Sequence, residues 1–277
     1  MKKIYGIIAS LVFLCSVCTA QENTKKFNLL GNGETFHLSL FTDGIILGGG
    51  TALVGTDLLC KKVLKVNRID VPSLPLNKDS VPAIDQPFMN PYSKSLDLTA
   101  TGIECALFAT PLLFIPQGSS EWFTIGTMYV ETLMWAYGLK EMGKICVNRA
   151  RPYMYFNDPP QKYIDNYDWA NSFPSGHSAF SFAAASFTSY VFSKYYPDSK
   201  WKWVVTGGCY SLAASVGCLR MLSGNHFFTD VCTGALIGTA CGILIPWLHT
   251  IGPKNPSDNV QISATPANLN VLIKLPR

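Results

Sequence analysis

Charged residues are scarce in this chain of 277 residues. They make up 14% of it, whereas hydrophobic residues make up 48%, and an average soluble protein has about a quarter of its residues charged. The net charge of +4 is small and dispersed, without a basic run, which argues against a nucleic-acid-binding protein. A mean hydropathy of +0.19 is modest for a chain made only of membrane spans, so composition alone leaves membrane insertion open.

The cysteine patterns of metal sites and disulfide frameworks are also missing. Beyond residue 20 there is no Cys-x-x-Cys pair, and five of the seven remaining cysteines lie in apolar runs, as small buried hydrophobes do; these are Cys105, Cys209, Cys218, Cys232 and Cys241. The triple glycine 48–50 is not followed by the Gly-Lys-Ser/Thr of a phosphate loop. We therefore expect no metal site and no cofactor.

Four segments follow from the order of polar and apolar stretches. Residues 1–20 resemble a secretory signal, with two lysines, an apolar core and a small-residue cleavage site; an uncleaved anchor is the alternative. Residues 21–97 form an N-terminal lead-in with peripheral helices, 98–250 an apolar core, and 251–277 a polar, loosely ordered tail. Apart from residues 1–20, the core contains the longest apolar runs.

The core predicts an all-α fold, a bundle of about five to six apolar helices. Helical stretches are expected at 98–115, 121–143, 177–194, 202–221 and 228–249, and none shows the alternation of a strand. Pro111 should kink the first stretch and Pro116 should end it. Each stretch approaches the ~20 residues that cross a bilayer.

Three short motifs stand at helix ends within this core. Lys144 is followed after six residues by Arg151-Pro152; Pro174-Ser175-Gly176-His177 opens the third helix; and Arg220 is followed after five residues by His226 and then by Asp230. Because neighbouring antiparallel helices alternate in direction, all three motifs should meet at one end of the bundle. We expect the active site there.

Phosphate chemistry explains this combination of residues. Lys144, Arg151 and Arg220 would bind an oxyanion at a helix N-terminus, and His177 and His226 would supply acid–base or nucleophilic chemistry. Asp230 lies four residues after His226, so both share a helical face. Each residue alone has an ordinary structural explanation, such as a helix-terminal charge. Ser175 is not predicted to be a nucleophile, because no G-x-S-x-G elbow surrounds it.

These motifs resemble the three signatures of the type-2 phosphatidate phosphatase superfamily, which also contains vanadium haloperoxidases. The resemblance covers roughly residues 98–250 and implies a helical bundle and metal-independent hydrolysis of phosphate monoesters. It implies that His226 is the nucleophile, Asp230 its orienting partner and His177 the general acid. A phosphate cradle is implied for Lys144, Arg151, Ser175, Gly176 and Arg220. Leu219 departs from the family pattern, which has Ser there, and this removes one hydroxyl.

The expected substrate is a phosphorylated lipid or another phosphomonoester, with a membrane as partner and no nucleic acid. Three alternatives remain: a soluble periplasmic acid phosphatase of broad specificity, an inactive membrane scaffold that kept the fold, and a haloperoxidase. The aromatic loop 153–173 is either an interfacial rim for lipid headgroups or a loop packed on its own bundle.

The expected location is the bacterial cell envelope. Residues 41–60 hold three glycines and two aspartates, so we expect them not to span the membrane. Counting helices then gives an inner-membrane protein with a periplasm-facing site. Lys194, Lys200 and Lys202 would lie inside, as the positive-inside rule prefers. A soluble periplasmic protein is the alternative.

Overall fold

The computed structural model describes residues 35–66, 68–251, 260–265 and 268–273. The predicted signal sequence lies outside these residues. The described α-helices are α1 Leu40–Leu58, α2 Lys94–Phe108, α3 Ser119–Val147, α4 Gln161–Asp165, α5 Gly176–Tyr195, α6 Trp201–Leu222 and α7 Phe228–Leu248. One π-helical turn, Leu59–Val63, extends α1. Short 3-10 helices occur at Lys78–Ser80, Gln86–Phe88, Thr110–Gln117, Pro152–Tyr155 and Asp168–Ala170.

The all-α prediction is confirmed for the core. The five predicted stretches correspond to α2 with the 3-10 helix after it, α3, α5, α6 and α7. Instead of a kink at Pro111, the α-helix ends at Phe108 and the chain continues as the 3-10 helix Thr110–Gln117, which contains both prolines. The tail, expected to be loosely ordered, includes an antiparallel hairpin of β1 Val260–Thr265 and β2 Asn268–Ile273.

Helix α5 is the centre of the bundle and packs most extensively against α7 and α6. Small residues let the backbones of α5 and α7 approach closely. A Cβ atom added at Gly238 would lie 2.0 Å from the Ala179 carbonyl oxygen, and one at Gly242 would lie 2.5 Å from the Ala183 oxygen. These contacts advance together along both helices, so α5 and α7 run parallel and begin at the same end.

A cluster of buried small and branched side chains joins α2, α5 and α6; it consists of Ala100, Leu107, Ala184, Ala185, Cys209, Ala213 and Val216. Cys209 and Cys241 are buried, as predicted. The prediction is wrong for Cys105, Cys218 and Cys232, which are exposed. Their apolar stretches form helices with an outward face, and these cysteines lie on it.

Three helical segments are long and apolar enough to cross a membrane: Phe41–Val63, Lys94–Gln117 and Phe228–Leu248. The first covers residues 41–60, which we expected not to span the membrane; its glycines and aspartates do not bring its hydropathy below that of a candidate span. Helices α3, α5 and α6 are not among these segments. Three apolar segments support membrane association, but counting helices no longer fixes the side of the membrane that the site faces.

Candidate active site

The mouth of α5 forms as its sequence predicts. Ser175 is the N-cap residue in an extended conformation, and its hydroxyl accepts a hydrogen bond from the Ser178 amide at 3.4 Å. The Ser175 amide donates to the Asp230 carbonyl oxygen at 3.0 Å. These bonds fasten the start of α5 to the start of α7. Gly176 and His177 therefore lie beside the residues that precede α7.

A cavity of about 580 Å³ opens at this end of the bundle. The sequence-predicted residues that line it are Lys144, Arg151, Gly176, His177, Arg220 and His226. All three motifs therefore meet at one cavity, as predicted from the alternation of helix direction. Ser175 and Asp230 are fully buried and are not part of the cavity wall.

The ring of His226 is held in one orientation. Its Nδ1 atom lies 2.7 Å from the Ser172 carbonyl oxygen, and because a carbonyl oxygen only accepts, Nδ1 carries the hydrogen. The other ring nitrogen, Nε2, lies 3.1 Å from Nη1 of Arg151, which donates to it. Nε2 therefore carries the lone pair of the neutral ring, beside Arg151, and both residues line the cavity.

Asp230 contacts His226 less directly than predicted. Its Oδ2 atom is 3.7 Å from His226 Nδ1, too far for a hydrogen bond. Instead, Oδ2 accepts from the Ser172 hydroxyl at 2.5 Å and from the Phe227 amide at 2.9 Å. Ser172 thus connects the two residues, since its hydroxyl bonds Asp230 and its carbonyl oxygen bonds the imidazole.

Sequence reasoning missed Arg149, which balances the charge of Asp230. Its Nη1 donates to Asp230 Oδ1 at 2.6 Å and its Nη2 to Asp85 Oδ2 at 2.7 Å. The guanidinium lies 4.0 Å from the centre of the Phe227 ring, a favourable cation–π distance. In the sequence, only its position two residues before Arg151 could have indicated that Arg149 belongs to the site. Nothing in the sequence indicated Asp85, which lies far away in the chain.

Each predicted phosphate-binding cation has a carboxylate partner. Arg151 pairs with Asp168 at 2.9 Å, and Arg220 pairs with Asp97. Lys144 lies 3.3 Å from Glu141. Burial lowers the pKa of Lys144 to about 8, and the nearby Lys140 acts in the same direction. Lys140 is a further cation in the cavity wall that the motifs did not indicate.

His177 faces a small polar group on α2. Its Nε2 atom lies 3.3 Å from the Thr101 hydroxyl and 3.4 Å from the Glu104 carboxylate. Burial lowers the pKa of His177, and Arg220 is the strongest of the charges that lower it further. Burial, followed by Arg151 and Arg220, holds the pKa of His226 well below its usual range. Both imidazoles are therefore neutral near pH 7 in the free protein.

Two other expectations concern residues around the cavity. Leu219, which replaces the serine of the family pattern, packs against the apolar cluster of α2, α5 and α6. In the loop 153–173, Tyr153 and Trp169 are buried and form a cluster with other loop residues. The buried aromatic side chains of the loop are therefore packed within the protein, against one another and against Ile69, Leu76 and Tyr92, and Tyr163 reaches the cavity wall.

Comparison with known families supports the predicted resemblance. Residues 126–252 match the family model of the PAP2 superfamily. This part of the chain is similar to the PAP2 superfamily. All of the predicted motif residues fall within this part of the chain. PAP2 is the type-2 phosphatidate phosphatase superfamily, so the recognition made from the motifs is confirmed.

Two curated relatives share parts of the sequence. Lipid A 1-phosphatase of Porphyromonas gingivalis is 34% identical over 88 residues, which are 32% of this chain and 18% of the relative. Bacitracin transport permease protein BcrC of Bacillus licheniformis is 33% identical over 108 residues, which are 38% of this chain and 48% of the relative. The alignments thus span less than half the length of each relative.

Two crystal structures are also similar. Aquifex aeolicus LpxE is 24% identical, with a TM-score of 0.38, over 55% of this chain and 86% of that protein. A PAP2-type phosphatidylglycerolphosphate phosphatase from Bacillus subtilis is 21% identical, with a TM-score of 0.42, over 75% of this chain and 96% of that protein.

Proposed function

We propose that this PAP2 domain hydrolyses phosphate monoesters of lipids through a phosphohistidine intermediate on His226. The observation that carries the proposal is the arrangement around its ring. The Ser172 carbonyl oxygen fixes the hydrogen on Nδ1, and the lone pair of Nε2 lies beside Arg151 in a cavity lined by four predicted phosphate-binding residues. A fixed tautomer with an adjacent anion-binding site is what nucleophilic attack on phosphorus requires.

In the first step, Nε2 of His226 forms a bond to phosphorus while the bond from phosphorus to the ester oxygen breaks. Lys144, Arg151 and Arg220 would neutralise the charge of the phosphoryl oxygens. His177 would give its proton to the departing ester oxygen. This imidazole is neutral in the free protein, so His177 must gain its proton when the substrate binds. The dianionic phosphate counteracts the positive field of the three cations, which otherwise disfavours the protonated ring.

In the second step, water attacks phosphorus and the bond to His226 breaks. Neutral His177 takes a proton from that water as it attacks, which restores the protonated imidazole and yields inorganic phosphate. The imidazolium of His226 that exists during the reaction would be stabilised by the Ser172–Asp230 relay. The acid and base steps therefore use one residue in opposite directions.

A lipid substrate is supported by two observations. Three helical segments are apolar enough to cross a membrane, which would hold the protein where lipid headgroups lie. One partial relative is a lipid A 1-phosphatase, whose substrate is a phosphorylated lipid. A soluble acid phosphatase would instead prefer soluble monoesters, and an inactive scaffold would hydrolyse none.

For the orientation, we propose that the cavity faces the periplasm. The support is the connection between α5 and α6 with the helix ends beside it, where Lys194, Lys200 and Lys202 lie at the opposite end of the bundle. A membrane-impermeant substrate offered to intact cells tests this. Hydrolysis without permeabilisation is expected, and hydrolysis only after permeabilisation would place the cavity on the cytoplasmic side.

The function is tested by a phosphate-release screen of the full chain in detergent, over lipid and soluble monoesters, with and without EDTA. Lipid monoesters should be preferred and chelation should not slow the reaction, because protein cations supply the neutralisation. His226→Ala should lose more than about 100-fold in rate, the low end of acid–base contributions. A folded His226→Ala that keeps more activity, or wild type inactive on every monoester, contradicts the proposal.

A further inference from the structure

A second cluster of ionisable side chains lies at the other end of the bundle. Asp43 is in the first turn of α1, Glu131 lies within α3 and His249 follows the last residue of α7. Because α7 has 21 residues and a helix rises ~1.5 Å per residue, roughly 30 Å separate this cluster from the catalytic His226. The proposed phosphatase chemistry does not use it.

The three side chains converge on one point. His249 Nε2 lies 3.1 Å from Asp43 Oδ1 and 3.2 Å from Glu131 Oε2, and the potential ligand atoms all lie within 4.8 Å of one another. Ligands bound at about 2.0–2.1 Å in a tetrahedral zinc site are about 3.4 Å apart. The observed spacing is therefore close to what one such ion needs.

The hydrogen bonds of His249 leave Nε2 available as a ligand. Its Nδ1 atom lies 2.8 Å from the Ile245 carbonyl oxygen, so Nδ1 carries a hydrogen and donates it. Metal-binding histidines commonly donate their second ring N–H to a backbone carbonyl in this way. In the neutral ring, the lone pair of Nε2 then points toward two carboxylates.

A single proton on His249 Nε2 cannot be shared well between the two carboxylates. Nε2 can hold only one hydrogen, and Asp43 is placed to accept it. Glu131 is 0% exposed, and apart from the 3.2 Å approach of His249 Nε2 to Oε2, neither of its carboxylate oxygens has a hydrogen-bond partner within the described part of the chain. A buried carboxylate in that position is costly unless it is paired or binds a metal.

We propose that Asp43, Glu131 and His249 bind one divalent transition-metal ion, with zinc as the best match to this set of one nitrogen and two oxygens. Imidazole and carboxylate are both ordinary zinc ligands. Asp43 has a side chain that is 13% exposed, which provides an entry for the ion. The bound ion joins α1, α3 and α7 and fastens the N-terminal helix to the bundle. This proposal departs from the expectation of no metal site, which rested on sequence spacing alone.

The test is zinc binding by the full chain in detergent. The protein is stripped of metal with a chelator, reloaded with zinc chloride and dialysed. Metal analysis should find one zinc per chain, and zinc should raise the melting temperature. Glu131→Gln, which keeps the shape of the side chain, should weaken binding at least tenfold and abolish the stabilisation by zinc. Glu121→Gln is the matched control, because Glu121 is another buried glutamate of α3 but accepts from Tyr195 instead; its zinc binding should equal that of wild type.

Cobalt(II) gives a second readout that does not depend on a variant folding. The wild-type chain loaded with cobalt should show the visible absorption of a low-coordinate nitrogen–oxygen site, and equimolar zinc should remove it. The proposal is overturned if the wild type retains no zinc, or if Glu131→Gln binds zinc as well as the wild type. Either result would make the cluster a protonated imidazole between two carboxylates. Neither bears on the phosphatase, whose own test is the activity of His226→Ala.

Discussion

At the scale of single residues, the candidate site separates side chains that touch the cavity from side chains that hold those in place. His226, His177 and the three predicted cations line the cavity, whereas Asp230 lies behind it and reaches the imidazole through Ser172. In the proposed mechanism Asp230 is therefore a positioning residue. Its effect should differ from that of a residue that merely pairs with the same arginine.

Asp230→Asn and Asp85→Asn form a matched pair, because both aspartates accept from Arg149 but only Asp230 bonds Ser172. Asp230→Asn should lower kcat about 10- to 150-fold, since a hydrogen bond to a charged group contributes about 1.5–3 kcal/mol, with KM nearly unchanged. Asp85→Asn should lower the melting temperature with a smaller effect on kcat. Steady-state kinetics of both variants check this, and equal losses of kcat would show that charge balance at Arg149 matters more than the relay.

His177→Ala tests the general acid through the leaving group. A lipid ester oxygen needs a proton to depart, whereas nitrophenolate departs without one, so the variant should lose about 100-fold or more on a lipid substrate and much less on nitrophenyl phosphate. Both substrates are measured in wild type and variant. Equal losses on the two would make His177 a phosphate ligand and leave the acid unassigned.

The sequence supplied the residues of the motifs but not their supports. Lys144, Arg151, His177, Arg220 and His226 could be brought together because each stands at a helix end, and helix direction follows from the alternation of apolar stretches and turns. The groups that hold these residues in place could not be predicted, because they include backbone atoms and residues distant in the chain. The Ser172 carbonyl oxygen has no side-chain signature, and residues as far apart as 43, 131 and 249 have no spacing that sets them apart.

At the scale of the helices, the close parallel contact between α5 and α7 brings His177 and His226, the two histidines of the proposed mechanism, to one cavity. It depends on glycines that admit the neighbouring backbone, and Gly238 is the tightest of them, with an added Cβ 2.0 Å from a carbonyl oxygen. Helix boundaries and this parallel pairing were implied by the sequence. The closeness of the contact was not, because a glycine in an apolar run is equally compatible with a lipid-facing surface.

Gly238→Ala should therefore separate α5 from α7 and destabilise the protein by about 1–3 kcal/mol, the usual cost of overpacking, with a loss of activity that follows the displacement of His177. Gly207→Ala in α6 is the control, because an added Cβ there meets nothing within 4 Å, and alanine should stabilise that helix by about 0.5–1 kcal/mol. Thermal unfolding of both variants measures the difference. If Gly238→Ala were as stable as Gly207→Ala, the α5–α7 contact would be looser than described.

At the scale of the whole molecule, the end of the bundle that holds the candidate active site collects positive charge around two neutral imidazoles. Burial lowers the pKa of His226, and Arg151, Arg220 and Lys144 lower it further. Attack requires the neutral ring, so kcat/KM falls only when the pH drops through this lowered pKa. The acid limb of the profile of kcat/KM against pH should thus lie below pH ~6.5, the ordinary pKa of histidine. The pKa of His177 is lowered as well, which moves the basic limb in the same direction and gives an acidic optimum.

Removing one cation should move the acid limb back toward pH 6.5. Lys144→Met takes away a charge that lowers the pKa of His226, so its acid limb should shift upward. Lys194→Met removes an exposed lysine at the opposite end of α5 and should leave the profile unchanged, because solvent screens charges beyond ~10 Å at moderate salt.

The measurement is kcat/KM against pH for the three proteins on one soluble monoester, whose own second ionisation near pH ~6 is common to all. An acid limb above about 6.5 in the wild type, or one that Lys144→Met leaves in place, would mean that the cations do not keep His226 neutral and that another group controls the rate.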